Sequence, residues 1–335
     1  MSRADAFVPL AMTVRSGFPE SFHFGAVVGL ERDGAVAFVA GDPTVAIYPR
    51  SATKPMQALV MVQLGLQLPP ELLALVCASH DGTPMHLELA RRILATVGVD
   101  ETSLSNTPGL PLDDTSSADI IRAGGGPTAL QQNCSGKHAG MLATCVINGW
   151  SIEDYFDPTH PLQLAITDGF PALIGESVAH VGVDGCGTPA HVMSLVGLAR
   201  AFRNIAVGAA GDAAAAVYEA MIRHPQIVGG EYRDVTTFIR HVPGLLAKDG
   251  ADGVFAAALP DGRSVAVKIA DGANRARPAV MVQALRALGV DMSSVEPLVR
   301  QPIMGHGLEV GELAAIAELS GVAGDETVFH HDERQ

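Results

Sequence analysis

Gly253-Val-Phe-Ala-Ala-Ala-Leu-Pro-Asp-Gly-Arg-Ser-Val-Ala-Val-Lys-Ile-Ala270 reads as two apolar strands closed by a Pro-Asp-Gly-Arg turn. Asp-Gly between two apolar runs is a strong hairpin signal. The same design stands near the other end of the chain. There His23-Phe-Gly-Ala-Val-Val-Gly-Leu30 and Ala35-Val-Ala-Phe-Val-Ala40 flank Glu31-Arg-Asp-Gly34. A lone two-stranded ribbon is marginal in water, so two distant hairpins need partners. The economical solution is one antiparallel sheet built from both. Between them the chain is mostly helical. Met85 to Val97, Ala139 to Asn148, His191 to Arg203, Ala213 to Arg223 and Pro278 to Leu288 carry helix-forming runs. Gly/Pro-rich breaks fall at 106–111, 123–127, 182–189 and 225–230. The expectation is an α/β (α+β) fold. Residues 1–335 are expected to form a single unit, with 1–50 and 250–330 building the sheet and 51–249 mainly helical.

Composition narrows the partners. The 335 residues are 48% hydrophobic and 17% charged, within the globular range, and the net charge is −14. That balance argues against nucleic acid and against anionic membranes. No apolar run approaches a membrane span, and the N-terminus lacks a signal-peptide pattern. A cytoplasmic protein is expected, so Cys77, Cys134, Cys145 and Cys186 should not form structural disulfides. Cys77 and Cys145 lie in apolar runs and read as core; Cys134 and Cys186 sit among glycines and polar residues.

Ser51-Ala-Thr-Lys54 lies where Tyr48-Pro-Arg-Ser-Ala-Thr-Lys-Pro-Met56 turns from extended chain into a helix. Residues three apart share a helical face, with Cβ atoms ~5–6 Å apart. A neutral lysine amine there can take a serine proton and create a nucleophile. S-x-x-K marks serine acyl-transfer enzymes, but a pattern this short also arises by chance. Lys268 alternates with Val265, Val267 and Ile269, so it leaves the strand on the opposite face; a solvent-facing lysine is the plainer reading. Ser79 opens a polar Ser-His-Asp-Gly turn after an apolar run, where either a site or a simple helix end is expected. Three such adjacent residues are not a triad, which is defined by geometry. Thr188 as a self-processed nucleophile and Thr167-Asp-Gly169 as more than a turn have little support.

Asn133-Cys-Ser-Gly-Lys-His-Ala-Gly140 places Cys134, Lys137 and His138 on one face of a starting helix. Asp184-Gly-Cys-Gly-Thr-Pro189 is a second glycine-hinged loop. Cys134, Cys186 and His138 would make a three-ligand zinc site with one open position; two ordinary turns are the competing reading. The C-terminal His330-His331 pair reads as polar tail.

Arg50-Ser-Ala-Thr-Lys-Pro55, Ala78-Ser-His-Asp-Gly82, Asn133-Cys-Ser-Gly-Lys-His138, Asp184-Gly-Cys-Gly-Thr-Pro189 and Lys268-Ile-Ala-Asp-Gly272 together resemble the signatures of the asparaginase II family, the rhizobial type. The resemblance implies a fold similar to serine β-lactamases and glutaminases. It implies hydrolysis of L-asparagine to aspartate and ammonia by a homodimer. It implies two serine–lysine tandems, Ser51–Lys54 and Ser79–Lys268. It also implies one zinc (Zn2+) per subunit held by Cys134, Lys137 and Cys186, which moves His138 to substrate contacts with Arg50 and Asp184. In this expectation Ser51 attacks and Lys54 takes its proton. An ordinary lysine, with a pKa of ~10.4, is neutral in about one molecule per thousand near pH 7.4, so an alkaline optimum is expected. A glutaminase or broader amidohydrolase would share all these residues. A β-lactam-reactive protein is disfavoured by the missing S-D-N and K-T-G. A non-catalytic zinc-binding interaction protein is the alternative of another class.

Overall fold

The computed structural model describes residues 3–316 and 319. The strands are β1 (Val8–Arg15), β2 (Phe18–Leu30), β3 (Val36–Ala40), β4 (Ala46–Ile47), β5 (His180–Val183), β6 (Pro189–Ser194), β7 (Leu246–Gly250), β8 (Val254–Ala258), β9 (Ser264–Ile269), β10 (Gln301–Gly305) and β11 (Leu308–Ala315). The helices are α1 (Lys54–Gln63), α2 (Pro70–Val76), α3 (Pro84–Ala95), α4 (Asp114–Arg122), α5 (Ser135–Ile147), α6 (Pro161–Ile174), α7 (Leu195–Ala206), α8 (Asp212–Arg223), α9 (Pro225–Val228), α10 (Asp234–His241), α11 (Arg277–Ala287) and α12 (Glu296–Val299).

Both expected hairpins form. β2 pairs with β3, β8 pairs with β9, and β2 joins β9 antiparallel with Val27 opposite Val267. The two ends of the chain thus close one sheet, ordered β10-β11-β1-β2-β9-β8-β7, with β3 also on β2. This is the expected α/β class with an antiparallel sheet. Helices α7 and α11 pack against the central strands, and every residue of β7 and β8 is buried. β4, β5 and β6 make a separate small sheet. Among the described residues no helix is long and apolar enough to cross a membrane.

Three local expectations need correction. The helix expected from His191 begins at Leu195, because His191 to Ser194 belong to β6. That strand is buried throughout and so lacks the polar alternation that marks a half-exposed strand. Thr167-Asp-Gly169 is the middle of α6 rather than a turn. Gly169 is there because α1 passes close by: an added Cβ would lie 2.6 Å from a Val60 methyl. The break at 225–230 contains the short helix α9. The His330-His331 tail lies outside the described residues.

Two close backbone approaches position the site. At Gly136 an added Cβ would lie 2.4 Å from the Leu75 carbonyl, so the start of α5 rests directly on the end of α2. At Gly250 it would lie 2.2 Å from the Pro49 carbonyl, so the end of β7 abuts the turn that carries Ser51.

Just before Gly250, β7 carries a buried ionic cluster. Lys248 is fully buried and donates to the Asp249 carbonyl at 2.7 Å and to the Asp249 carboxylate. That carboxylate also accepts from Arg233 at 2.7 Å and Arg277 at 3.4 Å. Burial pulls Lys248 down to about 8, against the pull of Asp249. A lysine depressed in the fold is protonated less readily than in the unfolded chain. Its penalty is therefore full below about pH 8 and is relieved as pH rises toward ~10.4. Chemical denaturation of wild type and Lys248→Met should show the wild type gaining, relative to the variant, up to about 3 kcal/mol across that window. A difference that is constant or moves the other way refutes the assignment.

Candidate active site

The chain leaves β4 and enters one 3-10 turn, Arg50–Thr53, that runs directly into α1. Arg50 has φ +54°, a left-handed conformation uncommon outside glycine and costing about 1–3 kcal/mol. The surroundings hold it there. Arg50 Nε donates to Asp184 Oδ1 at 2.7 Å, Nη1 donates to Asp252 Oδ2 at 2.5 Å, and the Thr53 hydroxyl donates to the Arg50 carbonyl at 2.9 Å. Ser51 follows, half-buried, and its hydroxyl has no hydrogen-bond partner among the described residues.

Lys54, the first residue of α1, is 1% exposed. Its Nζ donates to the Ala78 carbonyl at 2.6 Å, Ser79 Oγ at 3.1 Å and the Asn133 carbonyl at 3.3 Å. The serine that Lys54 hydrogen-bonds is Ser79, and no hydrogen bond joins it to Ser51 among the described residues. Ser79 is 3% exposed and anchored by its own N–H to the Val228 carbonyl at 3.0 Å. Lys268 is not bonded to Ser79; its Nζ donates to the Asp252 carbonyl. Burial lowers its pKa and Arg50 adds to this, against Asp252 and Asp271.

His80 locks the serine loop in place. Its N–H bonds the Asn133 carbonyl at 3.2 Å, and Nδ1 accepts from the Gly82 N–H at 3.1 Å. The ring proton therefore sits on Nε2 and is donated to Ser135 Oγ at 2.9 Å. Burial, with His86 and Lys54 nearby, holds His80 well below the usual imidazole range, so it stays neutral. Ser-His-Asp is a structural loop here: His80 bonds away from Ser79, and Asp81 pairs with Arg233 at 3.3 Å.

The second glycine-hinged loop joins β5 to β6 and meets the start of α5. Asp184 Oδ1 accepts from the Gly185 N–H at 2.8 Å as well as from Arg50. Arg50, Asp252, Lys268 and Tyr48 line a cleft of about 460 Å³ on this side of the molecule.

Cys134 and Cys186 are both buried and free, as are Cys77 and Cys145, which pack in the hydrophobic core. The Cys134 thiol donates to Asn133 Oδ1 at 3.5 Å; its interaction with Cys186 raises Cys134 and lowers Cys186, and the Lys137 ammonium and His138 lower Cys186 further. Lys137 Nζ lies 3.0 Å from Cys186 Sγ and donates to Thr188 Oγ1 at 2.6 Å. Burial opposes the Lys137 charge, but Cys186, Cys134 and Asp184 outweigh it and raise its pKa. Two sulfurs and an amine converging in a dry pocket form a donor set that suits zinc. Among the described residues no three His, Cys, Asp or Glu converge on a metal position, so the Cys134–Cys186–His138 set is not formed. His138 instead bonds the Tyr155 hydroxyl through Nδ1 at 2.7 Å, and burial pushes it down to about 4. Its Nε2 is buried without a hydrogen-bond partner.

Sequence reasoning missed several members of this site. Tyr155 holds His138 and also accepts from the Ser105 N–H at 3.0 Å, yet it stands in an unremarkable Asp-Tyr-Phe-Asp run. Asp252 was hidden in a turn sequence, Asp249-Gly-Ala-Asp-Gly253, whose only signal was its two aspartates. Thr188, weighed as a nucleophile, has its hydroxyl engaged as an acceptor for Lys137.

Comparison with known proteins follows this geometry. Among protein families, L-asparaginase II matches residues 11–315. No curated protein sequence gives a match. Among solved structures, a putative beta-lactamase from Bacteroides dorei DSM 17855 overlaps at 15% identity, over 78% of this chain and 93% of that one, with a TM-score of 0.41. A beta-lactamase from Mycobacterium bovis overlaps at 14% identity, over 81% and 95%, with a TM-score of 0.34. Mglu in its tris and glutamate form overlaps at 14% identity, over 82% of this chain and 59% of that one, again with a TM-score of 0.34. These overlaps are too loose to carry an assignment, which rests on the family match across nearly the whole chain. The chain belongs to the L-asparaginase II family of amidohydrolases.

Proposed function

We propose that the protein is an L-asparaginase, hydrolysing the side-chain amide of L-asparagine through a serine acyl-enzyme. The observation that carries this reading is Lys54 Nζ, 3.1 Å from Ser79 Oγ and three residues after Ser51, with Arg50, the residue before Ser51, on the wall of a cleft. Arg50 receives the α-carboxylate of the substrate, and Asp184 receives its α-ammonium. His138, expected as a further contact, is fully buried against Tyr155 and does not line this cleft. Lys54, as the neutral amine, takes the Ser51 proton while Ser51 Oγ bonds the amide carbon. The C–N bond breaks, the nitrogen gains a proton through Ser79, and ammonia leaves. Water then attacks the ester, aspartate departs, and Ser51 regains its proton. Lys268 stabilises the anionic oxygen as charge develops on it.

The Lys54–Ser79 contact also favours a second reading, with Ser79 as nucleophile. Ammonia release separates the two. Ser51→Ala and Lys54→Ala should each lose about a thousandfold or more in turnover. Ser51→Ala with near-full activity, and Ser79→Ala without any, reverses the two serine roles. L-Glutamine released faster than L-asparagine makes the protein a glutaminase. Zinc binding with no ammonia from either makes it a non-catalytic zinc protein.

Cys134, Lys137 and Cys186 are the residues that would hold one zinc per subunit. Bound there, the ion would supply a fixed positive charge beside the Asn133–His138 and Asp184–Pro189 segments. Elemental analysis should find one zinc per chain in the wild type and in His138→Ala, but not in Lys137→Ala or Cys186→Ala. Zinc retained in the last two, or missing from the wild type, counts against this ligand set.

A homodimer is supported by the overhanging end of β2. Phe22 and Phe24 lie on one face there, at 51% and 48% exposure. Two exposed aromatic rings on one strand face suit an interaction surface. The four unpaired buried cysteines support a cytoplasmic, reducing setting. Sedimentation should give a dimer for the wild type and a monomer for Phe22→Asp; a wild-type monomer refutes the reading.

A further inference from the structure

Arg50 meets two carboxylates, and they are not alike. Asp184 has a side chain 14% exposed and is tied down by the Gly185 N–H as well as by Arg50. The Asp252 side chain is 61% exposed, and Arg50 is the one hydrogen-bond partner that its carboxylate has among the described residues. It takes Nη1 of the guanidinium, and Arg50 lines one cleft with Tyr48, Asp252 and Lys268. An arriving carboxylate that forks across Nη1 and Nη2 of Arg50 meets Asp252 already on Nη1 and must displace it. Of the two aspartates, the exposed, singly bonded one yields more readily.

Asp252 is also built to move. It sits at the tip of the β7–β8 turn with φ +56°, next to Gly253 at φ +73° and packed against Gly272 at φ +82°. Left-handed backbone at a non-glycine residue stores strain. Its main-chain carbonyl accepts from Lys268, the lysine that stands apart from Ser79. One residue therefore restrains two cationic groups of the site, Arg50 through its side chain and Lys268 through its carbonyl.

We propose that Asp252 is a specificity-determining latch: its carboxylate occupies the seat that the ligand's carboxylate takes on Arg50, and displacement of Asp252 frees Lys268. The inference rests on the reading that Arg50 receives a ligand carboxylate, and it names what selects for one. A simple amide without a carboxylate has nothing to exchange for Asp252 and leaves the latch closed. A free amino acid carries its own replacement. The energetic form is a population tax: apparent affinity is reduced by the fraction of molecules whose latch is open, and removing the latch removes the tax.

The test is calorimetric titration of the intact protein with L-aspartate, the product of the proposed reaction, so that binding is read without turnover. Asp252→Asn keeps the size of the side chain and tolerates a positive φ. Asp252→Gly suits the turn and deletes the group altogether. Both should bind L-aspartate about fivefold or more tightly than the wild type. Asp271→Asn is the control for general electrostatics: it removes a nearby exposed charge that acts on Lys268 but does not touch Arg50. Equal tightening in Asp271→Asn overturns the proposal. So does unchanged or weaker binding in both Asp252 variants, or no binding in any of the proteins. Tighter binding in the Asp252 variants, in a protein that releases no ammonia from asparagine, leaves the latch standing and removes the asparaginase reading.

Discussion

A lysine side chain with its amine in the protein interior must be given acceptors, and the rest of this site follows from how Lys54 obtains them. Lys54 is the first residue of α1, the helix end where a lysine gains least from the helix dipole. Leaving its protons unmatched would cost several kcal/mol. The three acceptors come from two loops, at residues 78–79 and at 133, that are distant in sequence. Bringing the loops together requires α5 to lie against α2 without a side chain between them, which Gly136 permits. The same packing delivers Cys134 and Lys137 to Cys186. The lysine cradle and the sulfur cluster are thus two outcomes of one helix contact.

The sheet supplies the other half. Closing β2 onto β9 sets Lys268 opposite Ala26, and the β7–β8 turn brings Asp252 to Arg50. Gly250 lets the end of β7 abut the Pro49 carbonyl, so the strained Arg50 turn is supported from beneath. The buried Lys248–Asp249 cluster with Arg233 and Arg277 ties that same strand end to α10 and α11. Charge is concentrated there at an energetic cost, and the strand that bears the cost is the one that fixes the turn before Ser51.

How much of this the sequence disclosed depended on which force governed each segment. The hairpins were legible because Asp-Gly turns and apolar runs act locally. Helix α1 offered no amphipathic stripe, since Lys54 to Met61 are all buried, and only the S-x-x-K spacing hinted at a helix. His191 to Ser194 of β6 read as helix for a related reason: burial on both sides erases the strand's alternation. At the site, residue types in glycine-hinged loops pointed to Ser51, Ser79, Cys134, Asp184 and Cys186. The contacts between them could not be read. That Lys54 reaches Ser79, and that Lys268 turns to Asp252, are facts of tertiary placement between residues 25 and 16 positions apart. The choice between His138 and Lys137 beside the cysteines was likewise open until α5 was seen to aim His138 at Tyr155.

The two-loop cradle of Lys54 has a consequence for how the chain matures. The acceptors of Lys54 lie 24 to 79 positions further along the chain, and Lys268 reaches its place through a strand pairing between the two ends of the sequence. Loop-closure entropy makes such long-range contacts late to form. A nascent or partly unfolded chain therefore carries the side chains of the candidate site without assembling it. Amide cleavage becomes a property that appears only with the last cooperative step of folding, and its recovery after denaturation reports the completeness of the whole fold.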